Sequence, residues 1–235
     1  EKEATKARDL FLGQVASGAY LRETTALTGD FLERWLVDYH RRHVSPSAFD
    51  RDAVIVRRHL IPALGSVPLA KLKPLDIESY EANARCLNGR PMAPATLQKH
   101  HWLLHSALER AVEWELLLRS PAAKVKAPRL ADGGSVRALN DAEKSLALAA
   151  TVGTSIANLV PLALATGMRR GELLGLHWAD VDLVGGTITV RWRVRESKSI
   201  GTVLVPGTKN RRLRTVRIGE STVALLARHK AEQNE

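Results

Sequence analysis

Cysteine is almost missing from these 235 residues. Cys86 stands alone, so no intramolecular disulfide can form, and a reducing compartment, the cytoplasm, is expected. No apolar run approaches transmembrane length, and no signal-peptide pattern opens the chain. A Walker loop and a dinucleotide glycine fingerprint are both lacking, which removes the sequence signals of nucleotide-driven chemistry. Histidines occur together at His100 and His101, but a single cysteine and no matched acidic partners give no metal-ligand spacing, so neither metal nor other cofactor is expected. There is no internal repeat and no low-complexity tract. Glu1 takes the place of an initiating Met, as expected of a shortened product.

What the chain does have is positive charge. Lys and Arg number 35 against 25 Asp and Glu, a net of +10, with a pI near 10.1. That balance points to a polyanionic partner: DNA, RNA or an acidic membrane face. The lack of a strongly basic amphipathic helix argues against the membrane. The length exceeds one average domain, so two are expected, each burying its own core.

The pattern along the chain predicts a mainly α protein with a small antiparallel β-sheet. Residues 1–29 read as a charged linker with a helix remnant. From Asp30, residues Phe31, Leu32, Trp35, Leu36 and Tyr39 recur at helical spacing. A second helix is predicted over about 47–59, ended by Pro62 and Gly65. A third fades near Asn88-Gly89, and a long fourth runs from about Thr96 until Ser120-Pro121 stops it. These make a helical domain over 30–123. Residues 124–137, rich in Gly, Pro and positive charge, are the linker. In the second domain, 138–235, Asn140 and Glu143 form a capping box for a helix over 141–151, followed by another over 155–166. Residues 187–194 alternate as a strand, 203–205 and 213–218 read as two more, and 206–210 as the hairpin turn between these two. A last helix is predicted over 220–232.

The most informative stretch is Ala165-Thr166-Gly167-Met168-Arg169-Arg170-Gly171-Glu172-Leu173-Leu174-Gly175-Leu176. A helix that stops at Gly167 presents Arg169, and a short helix follows at once. Glu172, three residues on, is placed to brace that arginine. A permanently charged guanidinium held by a carboxylate suits gripping two oxygens of one phosphate. Arg170 reads as a solvated neighbour, and His177-Trp178 as packing for the helix end. Residues 169–217 hold 11 Lys and Arg against 4 Asp and Glu, a net of +7, which favours a nucleic-acid surface that includes Arg211, Arg212 and Arg214. In the first domain Arg41, Arg42, His43, Arg57, Arg58, Lys99, His100 and His101 are candidates for DNA contact.

The stretch around Arg169 closely resembles the first arginine box of the tyrosine recombinases, the phage integrase family. The first domain is similar to that family's core-binding domain, through the early tryptophan helix ending near His40, His59-Leu60-Ile61-Pro62-Ala63-Leu64-Gly65, and Ala111-Val112 before Ser120-Pro121-Ala122. The second resembles the opening half of the family's α+β catalytic domain. The resemblance implies that Arg169 is the first catalytic arginine, Glu172 its acidic support, and Lys209 the lysine that protonates the leaving 5′ oxygen. It implies double-stranded DNA as partner, action on DNA in the cytoplasm, and cleavage through a 3′-phosphotyrosine without metal or ATP.

The chain departs from the family in two places. Its tyrosines, Tyr20, Tyr39 and Tyr80, all precede the arginine box, and no His-x-x-Arg occurs. A fragment cut at both ends is therefore expected, able to bind DNA but not to cleave it. Family members act as tetramers on paired sites by exchanging a C-terminal segment, so this chain is expected to be a monomer in isolation. A non-catalytic DNA-binding regulator or architectural protein of the same fold is the rival reading, and an RNA-binding protein a further one.

Overall fold

The computed structural model describes residue 5 and residues 25–86, 88–130, 137–207 and 213–234. The chain divides into two compact units, one within Glu1–Gly134 and one within Ser135–Glu235.

In the first unit, helix α1 (Thr28–Arg34) runs through a π-wound stretch, Trp35–His40, into α2 (Arg41–His43) without a break. The apolar stripe explains the rod: Phe31, Leu32, Trp35 and Leu36 are all buried, and burying one face is what stabilises such a helix. Its start is tied down where the backbone N–H and Oγ1 of Thr28 both donate to the Val67 carbonyl, at 2.9 and 2.8 Å. Val44 is extended and ends the rod, and Ser45 caps the next one by accepting from the Ala48 N–H at 3.4 Å.

That second rod comprises α3 (Pro46–Ile55), a π-wound stretch, Val56–Leu60, and α4 (Ile61–Leu64). The sequence places its end near His59, yet the helix continues past Pro62. Proline removes one donor and crowds the carbonyl a turn behind it. The π winding just before Pro62 widens the helix there, so the missing N–H leaves the rod intact. Helix α5 (Pro74–Asn83) opens with Asp76 accepting from the Lys73 N–H at 2.8 Å and ends several residues before Asn88-Gly89. Helix α6 (Pro94–Glu113) is the long one. It stops before Glu115, which is left-handed at φ 57°, and so ends ahead of Ser120-Pro121. Leu32, Trp35, Leu36, Leu60, Leu69, Ile77, Leu104 and Leu108 fill one core, and a buried His40–Asp52 pair at 2.9 Å pins the two rods together.

In the second unit, Asn140 and Glu143 form the reciprocal capping box, both bonds at 2.9 Å, at the start of α7 (Asp141–Thr151). Helix α8 (Leu159–Thr166) begins later than the sequence pattern indicates, because residues 155–158 form turns. Helix α9 (Arg170–Leu174) follows directly.

The strands are β1 (Val181–Asp182), β2 (Thr187–Val190), β3 (Trp192–Ser197), β4 (Gly201–Pro206) and β5 (Arg214–Arg217). All pairings are antiparallel, in a three-stranded sheet ordered β1-β2-β5 and a two-stranded sheet β3-β4. Two expectations are corrected here. The strand read over 187–194 breaks at Arg191, and its halves join different sheets. The strands on either side of 206–210 do not pair with each other: β4 pairs with β3, and β5 with β2, so the hairpin turn lies at 198–200 instead. A hydrogen bond from the Gly207 N–H to the Arg191 carbonyl, 2.6 Å, closes the root of the β3-β4 hairpin. Helix α10 (Glu220–Asn234) completes the unit, and Leu162, Met168, Leu173, Ile188, Val190, Ile218 and Leu226 form its core. The fold is thus mainly helical with small antiparallel sheets, as the sequence pattern indicates.

Candidate phosphate-binding site

The site begins with the turn between α8 and α9. Thr166 stitches the end of α8, its Oγ1 donating to the Leu162 carbonyl at 2.6 Å and accepting from the Met168 N–H at 3.3 Å. Gly167 takes the left-handed conformation, φ 60°, which stops the helix and turns the chain. Met168 is buried and anchors the turn in the core, while Arg169 is extended, at φ −72°, ψ 152°, and heads α9.

Glu172 sits in the first turn of α9, where the helix dipole favours a carboxylate. Its side chain is 1% exposed and accepts four hydrogen bonds. The Arg169 backbone N–H reaches Oε2 at 3.0 Å, and Arg169 Nη1 reaches Oε1 at 3.1 Å. Arg214 supplies the other two, Nη1 to Oε1 at 3.1 Å and Nη2 to Oε2 at 2.7 Å, a bidentate fork. Burial is the largest single influence on this carboxyl and would raise its pKa. The bonds from Arg214 and from Arg169, with the charge of Arg214, outweigh it and hold the pKa at about 2. The result is one buried anion between two cations, of which Arg169 keeps 60% of its side chain exposed.

Close packing behind the turn keeps α9 in place. A Cβ at Gly171 would lie 2.6 Å from the Val194 carbonyl oxygen, and one at Gly175 would lie 2.8 Å from Arg193 Cα. These two glycines, one helical turn apart, let α9 lie directly on β3. Nearby, Arg191 Nε meets the buried Asp180 at 2.8 Å, and Arg170 meets Glu196 at 3.4 Å on the surface. Trp178 Nε1 donates to Gln233 Oε1 at 2.8 Å and so ties the turn after α9 to α10.

Of the residues singled out from sequence, Arg169 and Glu172 come together, and Arg214 joins them in an unforeseen role. Expected on a DNA-facing surface, Arg214 instead turns its fork inward onto Glu172. The signal was in the strand: Arg214 and Val216 share the half-buried face of β5, where an arginine needs a carboxylate. Lys209, Arg211 and Arg212 lie outside the described residues.

In the first unit, Arg42, Arg58 and Lys99 are exposed. Arg41 lies over the Phe49 ring at 5.7 Å, and Arg57 is paired with Glu33. His100 corrects the sequence reading. It is 2% exposed, with Nδ1 and the Tyr80 hydroxyl sharing a 2.6 Å hydrogen bond. His101 is also buried and bonded to Glu81 at 2.8 Å. Both face the interior because the inner stripe of α6 includes their positions along with Leu104 and Leu108. Among the described residues no group of three or more His, Cys, Asp or Glu is placed to hold a metal, and no helix is long and apolar enough to cross a membrane.

Two family profiles match the sequence: one described as the phage integrase N-terminal SAM-like domain over residues 29–81, the other as the phage integrase family over 134–234. A tyrosine recombinase XerC-like protein of Caldanaerobacter subterraneus subsp. tengcongensis is 24% identical over 250 aligned residues, spanning all of this chain and 63% of the relative. Among solved structures, the Tn1549 transposon integrase in complex with a circular intermediate DNA superposes with a TM-score of 0.72 at 17% identity, covering 86% of this chain and 64% of that one. A lambda integrase tetramer bound to a Holliday junction gives 0.58 at 16% identity, covering 81% and 52%. The present chain thus spans less than two thirds of the length of each of these proteins.

Proposed function

This chain belongs to the phage integrase family, the tyrosine recombinases, and from that premise we propose that it is the DNA-binding and arginine-clamp portion of a site-specific DNA recombinase. One observation carries the reading: an exposed guanidinium, Arg169, is held at a tight turn by a buried, fully bonded carboxylate. Such a group offers two parallel N–H donors to non-bridging phosphate oxygens, and its charge stabilises the phosphorane-like transition state. Glu172 fixes its direction. In this reading Lys209 protonates the leaving 5′ oxygen.

In this reading the nucleophile is a tyrosine outside this chain, as is the His-x-x-Arg motif. Neither described tyrosine suits the role: Tyr39 accepts a bond from Arg110, and Tyr80 is bonded to His100, with burial and then Glu81 raising its pKa. The partner is double-stranded DNA, contacted in the first unit by Arg41, Arg42, Arg58 and Lys99, and the complete recombinase works as a tetramer on paired sites, while this chain alone is a monomer.

The test is Arg169→Ala in the complete recombinase. DNA binding stays within about threefold, and strand cleavage falls by at least the two to three orders of magnitude typical of losing one transition-state donor. Cleavage at the wild-type rate would overturn the assignment.

A further inference from the structure

Arg169 gives Glu172 a single side-chain N–H, whereas Arg214 gives it two, one to each oxygen. The carboxylate is 1% exposed, while the side chains of Arg169 and Arg214 are 60% and 34% exposed. A buried carboxylate with one exposed cation beside it would be poorly compensated. The bidentate fork is what makes a charged Glu172 tenable, and only a charged Glu172 holds Arg169 in one direction. The backbone of Arg214 is held in the sheet, since it starts β5 directly opposite the buried Val190 of β2. Two of the five N–H groups of Arg214, one on each terminal nitrogen, form the end-on fork to Glu172, so that fork faces the carboxylate and not solvent.

We infer that Arg214 is a positioning residue, acting through Glu172 to aim the Arg169 guanidinium. The inference rests on Arg169 being the phosphate clamp, and it assigns β5 a role in the site that is distinct from DNA contact. The three side chains form a relay from strand to turn: the sheet holds Arg214, Arg214 holds the carboxylate, and the carboxylate holds the arginine that faces solvent. The three groups together carry a net charge of +1, and Arg169 is the more exposed of the two cations.

Two measurements test it. In this chain, a ¹³C NMR titration follows the Glu172 carboxyl, and ¹⁵N relaxation follows the Arg169 side chain. In Arg214→Gln the Glu172 titration moves from about 2 towards the ordinary glutamate range, and the Arg169 side chain gains mobility. Arg214→Lys, which keeps the charge but loses the fork, gives intermediate values and carries the test if the Gln variant does not fold. An unmoved titration with an unmoved Arg169 overturns the inference.

In the complete recombinase, Arg214→Gln lowers the cleavage rate at saturating DNA at least tenfold with DNA affinity held within threefold, and Arg214→Lys recovers part of the rate. A tenfold loss of affinity with the saturated rate intact would make Arg214 a direct DNA contact and overturn positioning. If Arg169→Ala abolishes cleavage while Arg214→Gln leaves it unchanged, positioning alone falls. Cleavage surviving Arg169→Ala overturns the clamp reading and this inference with it.

Discussion

His100 shows how a single side chain sets a pH limit on the first unit. Burial, and then the neighbouring His59 with its ring centroid 5.0 Å away, lower its pKa to about 4. In the unfolded chain the same group titrates near 6.5. Between these values only the unfolded state takes up the proton, so the contribution to stability is complete above about pH 6.5 and is lost as pH falls towards 4. The gap corresponds to about 3 kcal/mol. Glu172 behaves alike in the second unit over a lower range, its stabilisation being lost from about pH 4.5 down to about 2. Denaturant unfolding of the first unit, followed by NMR between pH 7.5 and 4.5, should show the loss, and His100→Gln should flatten it. An identical slope in wild type and variant would show that the proton goes elsewhere.

At the scale of elements, the fit of α9 onto β3 is the tightest feature near the site. Gly171→Ala would drive a methyl into the Val194 carbonyl, and Gly175→Ala into the backbone of Trp192 and Arg193. Each is expected to destabilise the second unit by about 1–3 kcal/mol, the usual cost of overpacking, as read from thermal or denaturant melts. Unchanged midpoints in both would contradict the packing. Local chemistry made some elements readable in advance. The Asn140–Glu143 box and the Gly167 stop depend on residues within a turn of each other, so they show in the sequence as they stand in the fold. The Arg169–Glu172 contact was legible for the same reason. What escaped depends on distant partners. The break at Arg191 exists because β2 finds β5 while β3 finds β4, and continuous alternation through 187–194 carries no trace of that choice. Arg214 lies 42 residues from Glu172 in sequence, so its inward turn appeared only once the sheet register was known. Likewise α6 was legible as a helix, but the inward position of His100 was obscured by its polarity.

For the whole molecule, the net charge of +10 is the property that reaches furthest. Each phosphate neutralised releases counter-ions, so the logarithm of duplex affinity should fall with the logarithm of salt by about 0.9 per contact. Titration of this chain with duplex DNA between 50 and 300 mM salt measures that slope. Double substitution of Arg42 and Arg58 by Ala should reduce the slope by about 2 if both side chains touch the backbone. An affinity indifferent to salt would exclude phosphate contacts as the source of binding. Paired charges temper the bulk figure: Arg57, Arg170, Arg191 and Arg214 all face a carboxylate within the chain, so fewer cations are available than the composition implies.

The closed root of the β3-β4 hairpin has a bearing on how such a chain can change. The Gly207–Arg191 bond closes the hairpin where it leaves β2, so the paired residues of β2 and β5 lie outside the arm. Lys198, Ser199 and Ile200 at its tip are exposed and turn-forming. Extra residues spliced in at that address would lengthen the arm and leave the arginine relay beneath it undisturbed, so lineages, and protein engineers, have one place where new surface can be grown without rebuilding the site.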